Sequence, residues 1–442
     1  MIVPSPLAAR LGADIPPVLL VPFGLLLLLI AVMPLLPGKP RDLWERCYPQ
    51  VAVALGLLVA AVYWFAIAGG RPVVGHTLHE YFSFISLIGS LFVVAGGIQL
   101  RIRGEGTPLG NVAFLAAGAV LANLIGTTGA SMLLIRPWMR INRHRLAAFH
   151  VVFFIFIVSN CGGALTPIGD PPLFLGYLRG VPFFWLVGHA VAPWLVVNGL
   201  VLAVFLGLDR RSHARTAPKP PATAGPLLRL DGAANLVFLT AVVAGVFLTG
   251  EYFIREWVML GAAVISYRLT PPAIHQENRF NFAPIKEVAW LFFGIFLTMM
   301  PALGYLEVHG KEAGLTKPAQ YYYATGSLSA VLDNAPTYVS FLKLAEVSVV
   351  PRTPDENGAD GGDHDRGAVR QLLETAPGFV VAISLGAVFF GALTYIGNGP
   401  NFMVKSIAEN AGVKMPGFFG YLFKYSLPVL LPILVIAAWL FV

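Results

Sequence analysis

Long apolar runs separated by short polar breaks fill most of this 442-residue chain. Residues 17–36, 50–69, 182–207 and 418–440 are near-continuous stretches of Leu, Val, Ala, Phe and Ile. At 1.5 Å of helical rise per residue, each is long enough to cross a hydrocarbon layer of about 30 Å. An outer-membrane barrel would instead show alternating segments of about ten residues. The pattern predicts an all-α polytopic membrane protein with about ten transmembrane helices. The first run lacks a basic leader, so it is expected to be a retained helix and not a cleaved signal.

Two of the apolar runs are broken in the same way. "GALTPIGDPPLF" at residues 163–174 returns as "GALTYIGNGPNF" at residues 391–402, with eight identities in twelve and an offset of 228. Glu80 in "LHEYFSFISLIGSLF" pairs with Glu287 in "IKEVAWLFFGIFLTM" at an offset of 207, and "GTTGAS" at 126–131 lies opposite "LDNAPT" at 332–337 at an offset of 206. The later, larger offset is explained by an extra acidic, Gly-rich segment at about 350–370, read as an outer loop. The chain is thus expected to be two repeats, 1–207 and 230–442, joined by a cytoplasmic linker at 208–229 rich in Pro, Ala and Arg.

Charge placement sets the sense of the repeats. Arginine and lysine clusters follow the first helix (Lys39, Arg41, Arg46), the third (Arg101, Arg103), the "GTTGAS" segment (Arg136, Arg140, Arg143, Arg145) and the fifth (Arg210, Arg211, Arg215). All fall on the cytoplasmic side only if the N-terminus is outside and the segment at about 108–135 enters and leaves by one face. That segment is then a re-entrant hairpin, its counterpart at about 318–345 enters from the other face, and the two repeats have inverted topology. Both termini are expected outside a bacterial cytoplasmic (inner) membrane.

Composition agrees with this and removes other classes. Hydrophobic residues make up 57% of the chain and charged residues 12%, with a mean hydropathy of +0.73, against about 25% charged in a soluble domain. The formal charge of +7 is assigned to flanking arginines, and no basic module suggests nucleic acid. Cys47 and Cys161 imply no disulfide framework. There is no Walker motif, no GxGxxG and no soluble domain for a nucleotide, so neither enzyme chemistry nor a cofactor is expected.

In lipid an unpaired backbone group costs several kcal/mol, so an unwound stretch survives only when buried in protein or lining a cavity. Pro167, Pro171 and Pro172 with Gly162, Gly163 and Gly169 forbid a continuous helix at about 146–178, and a matching break is expected at about 375–410. Broken helices at equivalent points of inverted repeats point to a midplane site. Asp170 and Asp333 are isolated carboxylates in apolar context and are the Na+ candidates; capping of a half-helix is the alternative role for each. Ser159, Asn160 and Thr166 in one repeat, and Thr394, Asn398 and Asn401 in the other, add oxygen ligands. With Thr127, Thr128 and Ser131 at one hairpin tip and Asn334 and Thr337 at the other, two oxygen-rich pockets suited to a hard cation are expected. A proton and a sodium ion would compete for the same carboxylate oxygens. Glu80 and Glu287 are either a proton pathway or interfacial helix ends. His189 is expected packed in the core, with a pH sensor as the alternative role, Lys405 at the cytoplasmic interface or beside a carboxylate, and Tyr321 to Tyr323 in an interfacial aromatic belt.

At "VSNCGGALTPIGDPP" (158–172) and "AVLDNAPT" (330–337) the chain resembles the ion transporter superfamily. That superfamily contains the NhaD-type sodium:proton antiporters, the arsenite permeases and the citrate and dicarboxylate transporters. The resemblance implies a scaffold domain and a transport domain moving as an elevator in a homodimer. It assigns the ion site to Thr127, Thr128, Asn160, Asp170, Asp333, Asn334, Thr394 and Asn398. The dicarboxylate branch is expected to carry Ser-Asn-Thr at the hairpin tips, where this chain has Thr127-Thr128-Gly129 and Asp333-Asn334-Ala335. The first expectation is therefore Na+/H+ antiport. Cation-coupled citrate or dicarboxylate symport and an arsenite-type anion permease are the alternatives.

Overall fold

The computed structural model describes residues 15–36, 38–102, 104–215, 228–350 and 361–442. Helices α1 (Val21–Val32), α2 (Lys39–Phe65) and α3 (Gly70–Gly96) open the first repeat, followed by α4 (Pro108–Ile141), α5 (Ala148–Ile157), α6 (Pro171–Leu178) and α7 (Trp185–Ala214). The second repeat holds α8 (Asn235–Val246), α9 (Ile254–Leu269), the short α10 (Pro272–Glu277), α11 (Ala283–His309), α12 (Pro318–Ser329), α13 (Asn334–Val349) and α14 (Gly361–Thr375). It closes with α15 (Pro377–Phe390), α16 (Gly399–Asn410), α17 (Phe418–Tyr421) and α18 (Leu431–Phe441), the last two joined by a π-helical stretch, Leu422–Leu430. Six helices among the described residues are long and apolar enough to cross a membrane; the other apolar segments are short, bent or broken.

Among the six, α4 is not a single rod. Gly126 has φ 79° and ψ 154°, which no helix tolerates, so the chain reverses there. The reversal brings the ends of the segment together: Gly106 N–H donates to Ile141 O at 2.9 Å, and Asn111 bonds Asn142 at 2.8 Å. The 34 residues of α4 are thus the two antiparallel arms of a hairpin with Gly126 at its tip. The second hairpin is α12 and α13, turning at Ala330 to Asp333, and Tyr321 on one arm meets Phe341 on the other edge to face.

The packing exchanges partners between the repeats. Helix α3 lies on α9, while its sequence counterpart α11 lies on α2. Glycines permit the closeness of α2 and α11: a Cβ on Gly56 would come within 3.1 Å of the Gly294 Cα, and one on Gly294 would collide with the Ala52 carbonyl. A two-stranded antiparallel ribbon, β1 (Gln99–Ile102) with β2 (Leu228–Asp231), ties the end of α3 to the start of the second repeat. Arg101 is held there by Asp231 and Glu277.

Four expectations are corrected. Residues 208–214, read as linker, continue α7, and Asp209 is buried. The remainder of that linker lies largely outside the described residues. The acidic segment at 350–370 is not all loop: from Gly361 it forms α14, and residues 351–360 lie outside the described residues. His189 is exposed, stacked on Trp185 at 4.0 Å, because that turn of α7 points outward. Tyr321 and Tyr322 are buried in the packing of α12 against α13, α15 and the last helix, with Tyr322 Oη donating to Leu434 O, and only Tyr323 is exposed.

Candidate functional site

The repeated phrase builds two matching loops. In the first, Gly163 and Gly169 face each other so closely that a Cβ on either would strike the other's backbone; in the second a Cβ on Gly397 would strike Gly391 O, and one on Gly391 would come within 3.2 Å of Gly397 O. Each loop is pinned to its hairpin by a threonine at the same register. Thr166 Oγ1 donates to Asn123 O at 2.6 Å and accepts from Gly169 N–H; Thr394 Oγ1 donates to Ala330 O at 2.5 Å and accepts from Gly397 N–H. The loose carbonyls at the breaks are also matched: Trp194 donates to Gly162 O and Tyr421 to Ala392 O, each at 2.8 Å. This satisfies the backbone that lipid would leave unpaired.

Between the loops the polar side chains form one network and not two separate pockets. Asn401 gives its N–H groups to Gly391 O and Thr394 O, which turns its Oδ1 toward Asn160 at 2.6 Å. Asn160 also donates to Ile155 O, so its own Oδ1 faces Asn398. Asn398 donates in turn to Ser159 O and to Asp170 Oδ1, the latter at 3.0 Å. Asp170 accepts Thr127 Oγ1–H at 2.8 Å on the same oxygen and Asn334 Nδ2–H at 2.6 Å on the other. Its carboxylate is completely buried. Two of these three donors belong to the second repeat, so Asp170 joins both hairpins and both broken helices. Among the described residues no Lys, Arg or His touches it. Ser131 and Ser159 share a hydrogen bond of 2.7 Å beside this hub.

Asp333 is placed differently. Its Oδ1 caps α13 by accepting Ala335 N–H at 3.0 Å, and Thr337 Oγ1 donates to its backbone carbonyl. The residue also lines a cavity of about 490 Å³ with Thr128, Asn334 and Asn398. Thr128, Met132 and Arg136, four residues apart, supply one wall; Phe402, Met403 and Ser406 of α16 supply another, and Arg279 and Asn281 come from the approach to α11 and Glu287 from its first turns. A groove along Thr128 to Arg136 extends about 12 Å at the helical rise. It leads from the Asp333 end to the arginine end.

The other singled-out residues lie away from the hub. Glu80 pairs with Arg179 at 3.4 Å, whereas Glu287 is on the cavity wall, so the two repeat equivalents have different surroundings. Lys405 binds Glu409 at 3.5 Å and sits 5.0 Å over the Tyr395 ring, so it is not a counter-ion of Asp170. Among the described residues no group of three or more His, Cys, Asp and Glu could hold a metal ion.

Three features were missed in the sequence. Arg136 and Arg279 face the cavity, although Arg136 was counted only as a flanking charge. Asn123 bonds Gly162 O at 2.6 Å and accepts Leu165 N–H, bracing the first loop; an asparagine in the apolar run "AVLANLIG" was its signal. A buried cluster joins Asp209 of α7 to Arg145 by an ion pair, to His150 at 3.0 Å and to Asn111 at 2.8 Å. Arg145 also reaches Gly106 O, so this cluster clamps the open end of the first hairpin.

Comparison with known proteins places these features in context. Residues 12–442 match a family described as "Putative citrate transport". An "Uncharacterized transporter slr0753" from Synechocystis sp. (strain ATCC 27184 / PCC 6803 / Kazusa) is 24% identical over 320 residues, 65% of this chain. The match spans 66% of that relative's own length, just under two thirds. A "46 kDa membrane protein" from Mycobacterium leprae (strain TN) is 25% identical over 338 residues, 70% of this chain and 72% of the relative.

Proposed function

Because the chain belongs to this citrate transport family, we propose that it is a cation-coupled secondary transporter. In this reading Asp170 takes the coupling cation, Na+ or H+, and a carboxylate of the citrate class is the cargo. The observation that carries it is the hub: a completely buried carboxylate bonded by Thr127, Asn334 and Asn398, all neutral. A buried charge without a partner costs several kcal/mol, a cost removed by a proton or a bound cation. Binding of either changes what Asp170 can accept from Asn334 and Asn398. It therefore changes how firmly the two repeats are held together, which links ion binding to alternating access and to the elevator movement.

Na+/H+ antiport is the second reading, favoured by one carboxylate in each repeat, Asp170 in a broken helix and Asp333 at a hairpin tip. The two are separated in liposomes carrying the purified protein and a pH-reporting dye, acidified inside and pulsed with Na+ alone or with Na+ plus labelled citrate. The proposal expects citrate to accumulate only with an inward gradient, of Na+ here or of H+ when the exterior is instead made the acid side, and Na+ alone to leave the internal pH unchanged. Internal alkalinisation by Na+ alone, without citrate uptake, would replace symport by antiport.

A further inference from the structure

The cavity beside the hub carries charge of both signs at named positions. Asp333 lies with Asn334, Asn398 and Thr128 at the end nearest Asp170, and Arg136 lies two helical turns further along the same wall. Arg279 joins it from the segment before α11. Among the described residues neither guanidinium makes a hydrogen bond or an ion pair, although Arg136 is only partly exposed. The other acid on the wall, Glu287, already has an interaction of its own. Arg279 is one of three non-glycine residues among those described with a positive φ, at 46°, a conformation that costs energy and persists only when its surroundings impose it. Here Asn278 donates to Gly96 O and Ile98 O, and Phe280 packs on Phe92 and His275. The residues on both sides are thus anchored, which fixes where Arg279 leaves the backbone.

Two unpaired guanidinium groups lining one cavity repel each other and are satisfied together by a ligand carrying at least two anionic groups. Planar forks match carboxylates in a bidentate manner. At about 490 Å³ the cavity has the size of a small-molecule site, which runs from about 300 to 1,000 Å³, and is far larger than a bare cation requires. We propose that Arg136 and Arg279 are the specificity-determining pair for a small di- or tricarboxylate, held in this cavity with its remaining polar groups toward Asn398 and Asn334. The inference rests on the cation-coupled carboxylate reading and adds to it the residues that read the cargo's charge. The cargo then sits next to, and not on, the carboxylate that takes the cation.

The test is equilibrium binding of labelled citrate to the full-length protein in nanodiscs, with tricarballylate and acetate as competitors. Wild-type protein is expected to bind citrate, to release it to tricarballylate and to ignore acetate. R136Q and R279Q should each weaken binding by roughly tenfold or more, and R136K by less than R136Q, since it keeps the charge and loses the fork. Monodisperse elution and an unchanged melting temperature establish that each variant is folded. Should R136Q fail this check, R279Q, at an exposed position, carries the test alone. Folded variants that bind citrate as tightly as wild type would overturn the role of the arginines and leave the carboxylate reading standing. Wild-type protein that binds none of the three compounds would remove the carboxylate reading itself.

Discussion

Thr166 and Thr394 each use one hydroxyl twice, donating to a hairpin carbonyl and accepting an N–H of their own loop. Among the described residues no other side chain stands at the same register in both repeats with the same two bonds. Replacing either by valine keeps the shape, leaves a buried carbonyl without its donor and should cost about 1–3 kcal/mol. A thermal melt in detergent checks this, and the two substitutions should have similar effects because the sites are equivalent. A null result at both would mean that the loops are held by glycine packing alone. These threonines, Asp170 and Asn398 could be found from the sequence because the phrase containing them occurs twice and breaks a membrane helix each time. Arg136 and Arg279 could not. A charge near a helix end looks the same whether it faces lipid headgroups, water or a cavity, and only the packed neighbours distinguish these.

At the scale of elements, the hairpins and broken helices depend on how their ends are fixed. The first hairpin turns at Gly126, where a Cβ would sit 3.1 Å from Ile168 O of the adjacent loop. Its open end is clamped by Asp209, Arg145, His150 and Asn111. Removing one member of a buried, hydrogen-bonded ion pair strands the other. Asp209→Ala should therefore destabilise the protein by about 3–5 kcal/mol, seen as a large drop in melting temperature and in yield of folded protein. Asp209→Asn should cost less, because it still bonds Asn111 and Arg145. Equal and small losses for both would show that the clamp does not hold the hairpin. The sequence was silent on this clamp for a physical reason: Asp209 precedes Arg210 and Arg211 and a Pro-rich stretch, a composition that reads as solvated linker. Helix α7 extends past that point only because Arg145 and Asn111 from other elements bury the carboxylate. Likewise α14 begins inside the acidic, Gly-rich segment, where local propensity argued for loop.

For the whole molecule, the exchange of partners between repeats, α3 with α9 and α11 with α2, makes a frame around a centre in which the symmetry is broken. Asp170 corresponds to Asn398 and Thr127 to Asp333, so only one repeat puts its broken-helix carboxylate at the hub, while the carboxylate of the other faces the cavity. Near-identical loops thus have different surroundings: a buried, hydrogen-bonded carboxylate on one side and the mouth of a cavity of about 490 Å³ on the other. This division is the basis of the coupling proposed here. The most direct test is the uptake of labelled citrate into liposomes by wild-type protein and by Asp170→Asn, with and without an imposed Na+ or H+ gradient. Wild type should accumulate citrate above the external concentration only when a gradient is present, and folded Asp170→Asn under neither condition. Gradient-driven accumulation by Asp170→Asn equal to that of wild type would contradict it, because the cation would then be taken up elsewhere.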